Sequence, residues 1–178
     1  MTDHLLERAR GWVVEVHPHA LHLLRTEDWL LELDPDASEA LRLAAVLHDI
    51  ERAFPDAGAG WDSSRDAGTR DYNRWHQDRC ARIAGDWLAE QGAPDPLVEE
   101  VRALIRVHEE GGWPEADLLQ AADSLSFLDT MVPLVQSWPR AAAEAKLDSS
   151  VARMNPALTR ARELAAPLHE AAMQAVAG

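Results

Sequence analysis

Apolar residues return every three or four positions along most of this 178-residue chain, and proline or glycine marks the places where they stop. No stretch alternates β-branched and polar residues, and no Asn-Gly or Asp-Gly turn joins two such stretches. The pattern is that of an all-α protein. It predicts a helix from Ala20 to Leu33, stopping at Asp34-Pro35 because a residue before proline is pushed out of the α region. The next helix is expected to start with Asp36-Ala37-Ser38-Glu39, which has the spacing of a capping box, and to carry Leu41, Leu43, Ala44, Ala45, Val46 and Leu47. A loop from Phe54 to Thr69, with Pro55, Gly58, Gly60 and Gly68, precedes a long helix from Asp71 to Glu90 that Gly92 ends. Asp95 as cap and Pro96 at the first helical position open another, which runs to Gly111-Gly112. A further helix is expected from Pro114 to Met131. Beyond Pro133 the helical pattern continues, with a fresh start at Asn155-Pro156 and a last amphipathic stretch broken near Pro167. There is no internal repeat and no low-complexity tract.

Composition narrows the class. Apolar residues make up 47% and charged residues 27%, enough for a packed core in a chain whose length suits one domain. A formal net charge of -14 repels polyanions, which argues against a nucleic-acid polymer or an anionic membrane as partner. No apolar run approaches the ~18 residues that would cross a bilayer. The opening residues lack a basic segment followed by an apolar one, so a cytoplasmic location is expected. The single cysteine, Cys80, excludes an internal disulfide and a cysteine-based zinc site, and its helical surroundings suggest a buried structural thiol. Positive charge is concentrated locally: Arg65, Arg70, Arg74, Arg79 and Arg82 face only Asp66, Asp71 and Asp78 in the same stretch.

His48-Asp49 is the pair that changes the picture. An imidazole and a carboxylate at the end of an almost wholly apolar helix are costly to bury unless something compensates them. A divalent cation would do so, since both groups ligate zinc, iron, manganese and similar metals. Asp123 poses the same problem inside Leu118 to Phe127, and His22 offers a further imidazole from an earlier helix. His19, one turn before His22, is the alternative first ligand. His76 and His108 follow in order along the chain, whereas His4, His17 and His169 read as surface residues. Trp29, Trp75 and Trp87 recur at helical spacing and read as core; Trp61, in the glycine-rich loop, is a candidate to cover a substrate.

The order H…HD…H…H…D, with "HLLRT" at His22, "LAAVLHDI" at the doublet and "LLQAADSL" at Asp123, resembles the HD-domain superfamily of metal-dependent phosphohydrolases over residues 19–130. The stretch "RTEDWLLELDPDASEALRLAA" is also similar to a domain-of-unknown-function family of the same type. The resemblance implies an HD-type helical bundle, expected over 1–132; from its helical pattern, 133–178 is expected to be a helical extension that packs on the same domain and carries little chemistry. It implies a metal held by His22, His48, Asp49 and Asp123, and a second metal completed by His76 and His108 with Asp49 bridging in the catalytic role. The ions would be one or two of manganese, iron, zinc, cobalt or nickel. Two ions about 3.5–4 Å apart could activate a water and hold a phosphate oxygen. Arg25, Arg52, Arg70, Arg74 and Arg79 are the candidates to grip a substrate phosphate, because arginine suits bidentate phosphate contacts.

One position departs from the pattern. Many hydrolases of this superfamily place an acid four residues after the doublet histidine, where this chain has Arg52, with Glu51 one residue earlier. The leading expectation is a phosphohydrolase acting on a small phosphorylated compound, a nucleotide above all. The alternatives are a di-iron oxygenase on the same frame, or a metal-stabilised sensor or scaffold without turnover.

Overall fold

The most apolar helix sets the plan of the fold. Glu39–Leu47 (α3) buries Ala40, Leu41, Leu43, Ala44, Ala45, Val46 and Leu47, so beyond Glu39 and Arg42 it has little to offer water and needs neighbours on most sides. The computed structural model, which describes residues 2–55, 60, 61, 66 and 68–178, supplies them. Helices α1 (Thr2–Val16), α2 (Ala20–Leu33), α5 (Asp95–Ile105) and α6 (Pro114–Thr130) all pack on α3. Helix α4 (Arg70–Glu90) lies against α5 and against a single 3-10 turn, Ile50–Ala53, that follows α3. Among the described residues every regular element is helical, as the periodicity requires.

Helix α6 is also apolar on more than one side. Ala116, Leu119 and Ala122 join the core around α3, whereas Ala121, Leu125 and Leu128 join a second core with Val135, Leu147, Met154 and Ala165. That second core is built by α7 (Val132–Val135), α8 (Arg140–Ala152) and α9 (Thr159–Ala177). A polar residue in the middle of α6 is therefore surrounded from both sides. None of the described helices is long and apolar enough to cross a membrane.

Several boundaries move from their expected places. Helix α1 falls outside the helices read from the sequence, although Leu5, Leu6, Ala9 and Val13 carry the period and are buried. Ser38 caps α3, its Oγ accepting from Leu41 N at 3.2 Å; Asp36 instead donates its N–H to the Asp34 side chain at 3.1 Å, forming a turn before the helix. Pro94 stands at the cap of α5, with Asp95 already in the first turn. That helix stops at Ile105 rather than at Gly111, and residues 106–110 fold into turns. Gly92 ends α4 with φ +79°, its N–H donating to Ala89 O while Ala93 N–H reaches Leu88 O. Pro167 does not break α9: it sits on the exposed face, where water can serve the Glu163 carbonyl that loses its partner. The middle of the 54–69 loop, Gly58 and Arg65 included, lies outside the described residues.

A buried carboxylate ties the first three helices together. Glu27 of α2 is 3% exposed and accepts two hydrogen bonds from Arg10 of α1 at 2.7 Å each, and one from Arg42 of α3 at 3.0 Å. Removing it strands two guanidinium groups that are themselves partly in water. Glu27→Ala should therefore lower stability by about 1–3 kcal/mol, read from urea unfolding. An unchanged midpoint would show that the three-residue contact contributes nothing.

Candidate metal centre

Four histidines from four segments meet at one end of α3. His22 lies in the first turn of α2, His48 directly after α3, His76 along α4, and His108 in the turn that follows α5. All four are buried. Ring centroids stand 5.3 Å apart for His22 and His48, 5.2 Å for His48 and His108, and 5.4 Å for His76 and His108.

Each ring is held through Nδ1. His48 Nδ1 lies 2.9 Å from the Ala45 carbonyl and His108 Nδ1 2.8 Å from the Ile105 carbonyl. A carbonyl only accepts, so both nitrogens carry the proton. His76 Nδ1 lies 2.9 Å from the Glu51 carboxylate. His22 Nδ1 lies 2.9 Å from Ser126 Oγ, whose own proton goes to the His22 carbonyl at 2.7 Å, so the hydroxyl accepts from the ring. With Nδ1 as the donor, Nε2 of each ring is left to a ligand, and such tethers are the usual support of metal-bound imidazoles.

Every Nε2 faces a carboxylate. Asp123 Oδ1 is 3.1 Å from His22 Nε2 and 3.4 Å from His48 Nε2; Asp49 Oδ1 is 2.8 Å from His76 Nε2; Glu109 Oε1 is 3.8 Å from His108 Nε2. Lone pairs cannot face one another at such distances in a buried site without positive charge between them. The other oxygen of each aspartate is taken by an arginine: Asp49 Oδ2 by Arg52 Nε at 2.9 Å, and Asp123 Oδ2 by Arg153 at 2.6 Å. One oxygen per aspartate thus stays free for the centre of the cluster. His48 Nε2, fully buried, has no hydrogen-bond partner. The donor set therefore fits a divalent cation. Ligand atoms of His22, His48 and Asp49 come within 4.8 Å of one another, as do those of His76, His108 and Glu109, and those of Asp49, His76 and Cys80. Asp49 borders two adjoining positions.

The electrostatics follow from the same contacts. Burial alone would raise the Asp49 carboxyl; Arg52 and the His76 and His48 rings outweigh it and hold it well below the usual carboxylate range. Asp123 is likewise held well below that range, against burial, by Arg153, His48 and His22. Glu109 is lowered to about 2 against burial, chiefly by Arg153, which bonds its Oε2 at 2.6 Å. Burial pushes His108 down to about 4, which keeps its ring neutral. His48 is raised, because Asp123 outweighs the cost of burial. Burial also raises the Cys80 thiol, which packs 3.8 Å from His76 Nδ1 as an uncharged core residue.

The six residues singled out as ligands, His22, His48, Asp49, His76, His108 and Asp123, are thus brought together. His19 stands apart from them as the residue before α2, at the mouth of the site. His17, read as a surface residue, is buried: its Nδ1 accepts from His19 N–H at 3.0 Å, which makes Nε2 the donor to the Asp49 carbonyl at 3.1 Å. It holds the backbone that carries the doublet. Gln77 and Gln120 hold the backbone of Glu109 in the same way, accepting from its N–H at 3.0 Å and donating to its carbonyl at 2.7 Å.

A cavity of about 510 Å³ opens over the cluster. Asp49, Asp123, His22 and Glu109 line its floor, Arg52, Arg153 and Lys146 supply positive charge, and Trp61, Tyr72, Trp75, Phe127 and Trp138 form aromatic walls. Trp61 does stand over the cavity, in contact with Tyr72 and Trp75. Of the arginines expected at a phosphate, Arg52 lines the cavity and donates to Tyr72 Oη at 3.1 Å. The others point elsewhere. Arg25 pairs with Asp129 and Asp28 and covers Trp29; Arg70 and Arg74 line a separate groove with Arg106; Arg79 bonds the Phe54 carbonyl at 2.7 Å. Arg65 lies outside the described residues. Arg153 and Lys146 come from the segment expected to carry little chemistry, yet both reach the cavity, and the turn after α8 lays Arg153 across Asp123, Glu109 and Ser124 at 2.6–2.7 Å.

Residues 10–176 match the family model described as "Domain of unknown function (DUF4202)", which spans both cores. No curated protein and no solved structure matches the chain.

Two measurements bear on the centre. Protons compete with a metal for Nε2, and His48 holds its proton more tightly than an ordinary histidine, so metal should be lost as the pH falls. Dialysis at about pH 5 should strip metal that is retained at about pH 8; equal retention would exclude imidazole ligation. Arg153→Met frees Asp123 Oδ2 and should weaken metal binding by about 10–100-fold in chelator competition. Unchanged affinity would mean that the clamp does not orient the ligand.

Proposed function

The chain belongs to the DUF4202 family, and for this member we propose a metal-dependent phosphohydrolase acting on a small phosphorylated compound such as a nucleotide. The observation that carries the reading is the meeting of four Nδ1-tethered imidazoles and two half-clamped aspartates on the floor of a cavity edged by arginine and lysine. His22, His48, Asp49 and Asp123 would hold one ion; His76 and His108, with Asp49 shared, would hold a second. The order of these residues along the chain, with the His48-Asp49 doublet after an apolar helix, supports the same assignment. Bound there, such an ion lowers the pKa of a water and polarises a phosphoryl oxygen.

The protein's own groups divide the remaining work. Arg52 cannot accept a proton, and its contacts with Asp49 and Tyr72 make it a positioning residue. The acid missing at position 52 has two neighbours to replace it. Glu51 is engaged by His76 Nδ1, which suits a supporting role, while Glu109 faces the cavity and is held ionised beside His108. Glu109 is therefore assigned to a third-ligand or water-orienting role. The aromatic walls exclude bulk water and suit a planar or apolar body next to the phosphate.

Protein purified without chelators should carry one or two transition-metal ions per chain. Manganese-loaded protein should release phosphate from a panel of nucleotides and other small phosphomonoesters. His48→Ala and Asp49→Ala should lose metal and lower that rate by about 100-fold or more. Bound metal without phosphate release across the panel would overturn the hydrolase reading. Oxygen consumption after ferrous loading would point to an oxygenase on the same ligands.

A further inference from the structure

The cations that face the cavity are not equivalent. Arg52 is occupied by Asp49 and Tyr72, and Arg153 by Asp123, Glu109 and Ser124. Lys146 reaches the cavity from α8, and its ammonium has no hydrogen-bond acceptor among the described residues. It stands 4.8 Å over the Phe127 ring, whose face satisfies an ammonium only partly. Three N–H donors half-withdrawn from solvent and turned to a cavity call for an acceptor that the protein itself does not supply.

The surroundings say what kind of acceptor. Glu109 and Asp123, the nearest acids, are committed to Arg153. On its other side Lys146 adjoins an apolar wall of Phe127, Met131, Leu134 and Trp138, a surface that a sugar hydroxyl would not favour. An anionic group at Lys146 and a flat or apolar body against that wall can be held at once.

We propose that Lys146 is the direct phosphate contact of this cavity and that the wall from Phe127 to Trp138 receives the organic part of the ligand, so that the ligand is a phosphate monoester with an aromatic or apolar body. This rests on the phosphohydrolase reading for the reaction, and its binding test is independent of turnover. In this arrangement α8 and α9 are part of the recognition machinery: they supply the contact that tells a phosphomonoester from a neutral compound of the same shape.

The test is calorimetric titration of the full chain, metal-free with inorganic phosphate and with phenyl phosphate, and metal-loaded with inorganic phosphate alone, so that no probe is turned over. Wild type should bind both, phenyl phosphate about tenfold or more tightly than phosphate. Lys146→Met should weaken both by about tenfold or more, with metal content and thermal midpoint unchanged, and Lys146→Arg should restore most of the loss. Trp138→Ala should remove the preference for phenyl phosphate and leave phosphate binding in place. Equal binding by wild type and Lys146→Met, no binding of either probe, or no preference for phenyl phosphate would each overturn the proposal. Binding that behaves as expected in a protein that never releases phosphate would leave it standing and remove the hydrolase reading alone.

Discussion

Buried imidazoles that face buried carboxylates, and so require positive charge between them, are the constraint on which this structure turns. Nε2 of His22 and His48 faces Asp123 Oδ1 within 3.4 Å, and Nε2 of His76 faces Asp49 Oδ1 at 2.8 Å, in the interior of a helical protein. Such a set is repulsive until positive charge enters it. Everything around it secures that outcome: the Nδ1 tethers fix which nitrogen points inward, and the arginines fix which carboxylate oxygen does. A satisfied core histidine has a hydrogen-bond partner at each ring nitrogen. His48 Nε2 has none.

The two aspartates are treated alike by residues of quite different origin. Arg52 reaches Asp49 across a local i,i+3 step, whereas Arg153 comes to Asp123 from 30 positions away. Both clamps leave a single oxygen for the interior, which restricts how each carboxylate can ligate. They also bring formal positive charge next to acids that would otherwise repel one another. The net charge of -14 thus coexists with a cavity in which Arg52, Lys146 and Arg153 offset the acids that line it.

What could be read from the sequence, and what could not, divides along the same line. His48, Asp49 and Asp123 stood out because an ionisable group inside an apolar helix breaks a one-dimensional pattern, and the fold class followed from that pattern directly. Lys146 on α8 and Arg153 in the turn after it sit among alanines and polar residues with no pattern to mark them; only contacts distant in sequence give them a role, spanning 30 and 44 positions for Arg153 and reaching back to Phe127 of α6 for Lys146. His17 belongs with them, since its partner is a backbone carbonyl 32 positions on. Arg70 and Arg74 line a groove apart from the cavity for a reason the helix period contains. Tyr72, His76 and Cys80 fall on the buried face of α4, so Arg74, two residues from each of the first two, is turned away. The cap falls at Ser38 and not at Asp36, because the residue that begins the helical bonding decides the cap.

Ser126 holds the His22 ring across 104 positions, and Arg153 reaches Asp123 only after 30 more residues have followed that aspartate. On a ribosome His22 is made 104 residues before the Ser126 that holds its ring, and the Asp123 that faces His22 and His48 also comes from a later helix. Contacts of such long separation also form slowly, since the closure of large loops precedes the interactions that hold them. The centre is therefore a late event in the life of each molecule. A metal ion captured early by the doublet would meet an incomplete site, and the last helices act as the timekeeper that decides when the cluster becomes a closed one.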